Sequence, residues 1–68
     1  MNHAGKIAIN TVDVYNLMTI PALNYSQALL IITERNNNGK YSSIDDIKNR
    51  NSLGSEIMQE LAKHIFVD

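Results

Sequence analysis

Proline at position 21 constrains this chain more than any other single residue, because it falls between two segments that both read as helix. Its ring fixes φ and removes a backbone donor, so the helix before it is expected to stop near Thr19. Asn24 tolerates φ > 0 and lets the chain reverse at once. Residues 20–28 are therefore expected to form a very tight turn between two short helices. Leu23 is the one large apolar residue between Pro21 and Tyr25, and is expected to point inward and pin the turn to the core. The turn leads into a helix start whose backbone N–H groups face outward, a geometry suited to an anion such as phosphate.

With 68 residues the chain is one domain, near the lower size at which a single core suffices without staples. The absence of cysteine excludes disulfides and thiolate metal sites. A composition of 44% hydrophobic and 19% charged residues is that of a globular chain. Six basic residues face seven acidic ones, for a formal net charge of -1. Nothing global attracts nucleic acid or an acidic membrane, so any anion binding must be local. No stretch is apolar for long enough to span a bilayer, and the first six residues lack the apolar core of a secretory signal. A cytoplasmic chain with no membrane partner is expected.

Residues 1–8 carry no strong pattern and are expected to be a flexible lead-in to a domain at 9–68. Thr11 is the expected cap of a first helix at 12–19, with Asp13 in its first turn and Val14, Leu17 and Met18 at helical spacing. A second helix is expected at 25–36. Its run Ala28-Leu29-Leu30-Ile31-Ile32 is apolar on every side, as in a helix that is central or turns one side to a partner. The asparagines at 36–38 and Gly39 supply the residues that end it. Tyr41 is expected to pack inward from a short extended link. Ser43 caps a third helix at 44–48, with Asp46 three residues on. Residues 49–54 are expected to form a second turn with the logic of the first: a small residue, an inward leucine, and Gly54 to accept φ > 0. A last helix is expected at 55–65, followed by a tail that docks or frays.

The chain thus carries a weak internal repeat of helix, tight turn, helix, in which Pro21-Ala22-Leu23-Asn24 is echoed by Asn51-Ser52-Leu53-Gly54. Ile9-Asn10-Thr11 and Leu17-Met18-Thr19-Ile20-Pro21 resemble the opening Ile-Asn-Thr and the Leu-x-x-Leu-Pro of the tandem helix-hairpin-helix domain of the ComEA family of competence DNA receptors. Ala28, Ile31-Ile32, Arg35, Asn38-Gly39, Tyr41, Ser43, Ile44 and Asp46-Ile47 continue in register. The resemblance implies an all-α fold, a small single domain of four to five short helices forming two helix-hairpin-helix motifs in a SAM-like bundle. It also implies sequence-independent binding of the DNA phosphate backbone. The family pattern at each hairpin is Gly-hydrophobic-Gly, and of those four glycines this chain keeps Gly54.

On that resemblance, backbone N–H groups around Asn24, Tyr25, Ser26 and Gln27 would hold a phosphate, with a monovalent cation allowed at this first hairpin and no other cofactor. Gly54 and Ser55 are the corresponding residues of the second hairpin, where Glu56 in the first helical turn would repel the anion. The first hairpin is accordingly the favoured one. Lys40, Lys48, Arg50 and Lys63 are candidates for counterion release. Plainer roles stand beside these: Asn24 and Gly54 as turn residues, Ser26 as a cap, Arg35 as a contact at a helix C-terminus, and Lys48 and Arg50 as solvated surface.

No catalytic constellation is present. His3 and His64 lack metal-ligand spacing, and Asp45 and Asp46 are adjacent in a helix's first turn, where they point apart. Neither an enzyme nor a small-molecule substrate is expected. The competing reading is a protein-binding module on the same scaffold, an adaptor or an inhibitor or immunity-type protein. Tyr15, Met18 and Leu29 stand where the resembling family carries polar residues, and would form its apolar patch.

Overall fold

A computed structural model describes residues 5–68. Four helices follow a two-residue strand: β1 (Ile7–Ala8), α1 (Val14–Leu17), α2 (Tyr25–Asn38), α3 (Ile44–Asn51) and α4 (Ser55–His64), and the chain returns as β2 (Ile65–Phe66). The fold is all-α with a minimal strand pair. β1 and β2 are parallel, with Ile7 opposite Ile65 and Ala8 opposite Phe66. The end of the expected lead-in and the start of the tail are thus paired with each other, while residues 1–4, including His3, lie outside the described residues. No described helix is long and apolar enough to cross a membrane.

One core collects a few residues from every element. Ile9, Leu17, Ile31, Ile47 and Leu61 are fully buried, and Tyr41 and Ile65 nearly so. The two turn leucines, Leu23 and Leu53, are buried as expected. Burying a leucine side chain contributes roughly 1.5–3 kcal/mol, enough to fix a short turn against the core.

Several boundaries differ from those expected. The first helix is capped by Asp13 rather than Thr11, because the Asp13 carboxylate accepts the Asn16 amide at 2.8 Å while Thr11 is held in a preceding turn by Ala8. It also ends sooner. Thr19 and Ile20 donate to carbonyls three residues back, and the Thr19 hydroxyl donates to the Asn16 carbonyl at 2.6 Å, so the chain has left the α-helix before Pro21. α2 runs on through Asn38, and Gly39 alone, at φ 94°, breaks it. α3 continues to Asn51, three residues beyond the expected end, because Asn51 buries its side chain against Tyr41. α4 stops at His64, and Ile65 belongs to β2.

The left-handed residue of the hairpins is also not where the sequence suggests. Asn24 has φ −95° and Gly54 φ −68°, both extended, as helix N-caps require. Ser52 takes the left-handed conformation instead, at φ 54°, as the C-cap of α3.

Two clasps hold the helices in register. The Arg35 guanidinium reaches back from α2 and donates to the carbonyls of Ile9 at 3.1 Å and Val12 at 2.7 Å, fixing the approach to α1. Tyr41 sits at the centre of the second clasp. Its hydroxyl donates to the Ile31 carbonyl at 2.7 Å and accepts from Asn51 at 2.9 Å, so α2, the link and α3 meet at one phenol.

Candidate functional site

The first hairpin aims the start of α2 at solvent, and Asn24, Tyr25 and Ser26 are exposed. Asn24 closes a capping box: its Oδ1 accepts the Gln27 amide at 2.8 Å, and Gln27 Oε1 accepts the Asn24 amide at 3.0 Å. Two of the four amides expected to hold an anion are therefore engaged within the protein. Those of Tyr25 and Ser26 take no part in the capping box. Asn24 does the capping, so Ser26 is not needed for it.

At the second hairpin Gly54 is the N-cap of α4 and brings no side chain to the helix start. The amides of Ser55, Glu56 and Ile57 carry no side-chain cap, and a helix start in that state bears a positive partial charge. The space beside Gly54 is open, with no atom within 4 Å of where a Cβ would lie. Glu56 is exposed in the first turn, and its carboxylate acts against a bound anion. On backbone geometry alone, the start of α4 is the more open of the two.

Lys48 and Ser55 come together there. They line a shallow groove of about 300 Å³ between α3 and α4, together with Ile44, Asp45, Met58, Gln59 and Ala62. Lys40 is exposed in the link before Tyr41, and Lys63 pairs with Glu60 at 3.0 Å along α4.

Arg50 stands apart from this group. Its Nε meets Glu34 at 3.0 Å and its Nη1 meets Asp46 at 3.2 Å. The remaining N–H groups go to the carbonyls of Lys40, Gly39 and Glu34. The guanidinium also lies 4.4 Å from the centre of the Tyr41 ring. All five of its donors are used inside the domain. The Ser42 amide, then Arg50, holds the Asp46 carboxyl below its ordinary range. Burial, against the opposing effects of Asn51 and Arg50, pushes the Tyr41 phenol up.

Of the residues expected to form an apolar patch, Tyr15 is 73% and Leu29 40% exposed, joined by Tyr25 and Leu30. Met18 is half-buried and packs on the core. Sequence reasoning did not single out the polar pair Asn10 and Asn51, both buried. Asparagine in a short apolar motif carries no periodic signal that marks it as internal.

No curated protein and no solved structure matches the chain significantly. A family model described as the helix-hairpin-helix motif matches residues 2–66, nearly the whole chain. Modules of this kind are in general nucleic-acid binders. With two leucine-anchored reversals, each leading into an exposed helix start, the chain belongs to the helix-hairpin-helix motif family.

Proposed function

We propose that this domain is a non-catalytic, ComEA-type tandem helix-hairpin-helix module that holds DNA by its phosphate backbone without reading sequence. The observation that carries the reading is the start of α4, where Gly54 leaves three amides uncapped beside Lys48 and Ser55. Backbone N–H groups at a helix start bind phosphate through their dipole and their geometry, with no need for base contacts. The Tyr25 and Ser26 amides offer a second, smaller phosphate contact at the first hairpin. Lys48 and Lys40 supply the cations, whereas Arg50 serves the fold.

Two neutralised phosphates give a slope of log affinity against log salt of about −2, or roughly a tenfold loss between 50 and 200 mM salt. Fluorescence anisotropy against a mixed-sequence duplex measures this slope. Lys40→Glu with Lys48→Glu should remove binding while leaving the helical circular dichroism unchanged. Affinity indifferent to both salt and this double substitution would overturn the reading.

Exposure of Tyr15, Leu29 and Leu30 favours a second reading, capture of a protein partner on the same scaffold. Binding there would be insensitive to salt. Tyr15→Asp with Leu29→Asp would release such a partner and leave DNA affinity as it was.

A further inference from the structure

We infer that Asn38 is a deamidation site held shut by the last turn of α2, and that its conversion loosens the clasp around Arg50. Asn38 is the one asparagine of the chain followed by glycine. It closes α2 as an exposed residue, and Gly39 is exposed beside it, with no atom within 4 Å of where a Cβ would lie. Nothing shields the pair sterically, and the missing Cβ leaves the Gly39 nitrogen unhindered. The reaction needs only water. The Gly39 nitrogen bonds to the Asn38 Cγ as the Cγ–Nδ2 bond breaks, and the departing nitrogen leaves as ammonia, taking up the proton that Gly39 loses. Water then opens the five-membered imide. Cleavage at Cγ leaves aspartate, and cleavage at the backbone carbonyl carbon leaves isoaspartate, whose main chain is one methylene longer.

Two hydrogen bonds oppose the first step. The Gly39 N–H donates to the Arg35 carbonyl at 3.0 Å, so the attacking nitrogen is engaged along the helix. Asn38 Nδ2 donates to Glu34 Oε1 at 3.0 Å, which ties the leaving group to the preceding turn. Both bonds are lost together when the last turn opens, and a turn at an exposed helix end opens well short of global unfolding. The products act on the same place. Glu34 Oε2 accepts from Arg50 Nε at 3.0 Å, and Arg50 Nη2 donates to the Gly39 carbonyl at 2.8 Å. A carboxylate at position 38 has no proton for Glu34, repels it across one helical turn and stands at the negative end of the α2 dipole. The extra methylene of isoaspartate displaces the Gly39 carbonyl from Arg50.

Peptide mapping by mass spectrometry tests this on the full chain, kept folded or in concentrated urea at mildly alkaline pH. In concentrated urea Asn38 should be the first asparagine to convert. In the folded chain its rate should fall about tenfold or more, because the open turn is the minor state. Urea too dilute to unfold the chain should leave that folded-state rate nearly unchanged, since opening one turn exposes little surface. Asn38→Asp, which is one of the two products, should melt about 2–6 °C below the native chain. Earlier conversion of another asparagine in concentrated urea overturns the site. A folded chain that reacts as fast as the unfolded one, or at a rate that climbs in step with the unfolded fraction, overturns the gate in the last turn. An unchanged melting temperature overturns the loosening of the clasp.

Discussion

Asn10 and Tyr41 exchange two hydrogen bonds, the Asn10 Oδ1 accepting the Tyr41 amide at 2.7 Å and its Nδ2 donating to the Tyr41 carbonyl at 3.0 Å. This side chain fastens the approach to α1 onto the link between α2 and α3. Asn10→Ala leaves both groups of Tyr41 buried and unpaired. The expected loss is about 2–4 kcal/mol, since each buried orphan costs roughly 1–3 kcal/mol. That is a large share of the stability of so small a domain. Urea unfolding followed by circular dichroism measures it, and a loss below about 1 kcal/mol would mean that the pair is replaced by water.

The clasp around Arg50 predicts where acid and alkali weaken the fold. The folded-state pKa of Asp46 is lowered by the Ser42 amide and Arg50. Its contribution is therefore complete above the unfolded carboxylate value and is lost as pH falls through the lower, folded one. The melting temperature should hold from neutrality to about pH 4 and decline below it, and Asp46→Asn should reduce that decline. The folded-state pKa of Tyr41 is raised by burial, so its contribution is complete below the unfolded value near 10 and is lost as pH rises through the folded one. Thermal melts between pH 3 and 11 check both limits, and Tyr41→Phe should flatten the alkaline one.

The fold was largely legible because its strongest signals are local. Pro21 and Gly39 punctuate the chain, Ser43 caps α3, and Leu23 and Leu53 anchor the reversals in the way their spacing suggests. What was not legible depends on partners distant in sequence. Asn51 reads as a turn residue until Tyr41 is placed beside it, and Arg50 reads as a surface cation until Glu34 and the Gly39 carbonyl close around it. The candidate site was legible residue by residue, whereas its grouping was not: nothing in the spacing says that Lys48 joins Ser55 while Arg50 faces the opposite neighbour.

Ser52 occupies a conformation that favours glycine, with φ 54° and ψ 41°. A left-handed residue with a Cβ costs roughly 1–2 kcal/mol, part of which glycine returns as unfolded-state entropy. Ser52→Gly should therefore stabilise the domain by about 0.5–1 kcal/mol in urea unfolding. Gly39→Ala should do the opposite, by about 1–3 kcal/mol, because φ 94° with ψ 173° is a region that only glycine enters readily. The space around Gly39 is open, so the whole of that loss would come from the backbone. If Ser52→Gly destabilised instead, the second reversal would have to turn at another residue.

Gly54 separates stability from binding, because one substitution there should move the two in opposite directions. Its extended backbone is the one an aspartate N-cap adopts, and nothing near it obstructs a side chain. Gly54→Asp would place a carboxylate on the uncapped amides of α4, where it accepts a hydrogen bond and faces the positive end of the helix. The expected gain in stability is a few tenths to about 1 kcal/mol. That same carboxylate would occupy the position proposed for phosphate and repel it, so affinity for duplex DNA should fall at least tenfold at low salt. Gly54→Ala is the control: it caps poorly and carries no charge, so it should cost some stability and leave most of the affinity. A thermal melt and an anisotropy titration on the same three proteins decide the point. Should Gly54→Asp bind duplex as tightly as the native chain, phosphate is not held at the start of α4, and the first hairpin with Tyr25 and Ser26 would have to carry the contact alone.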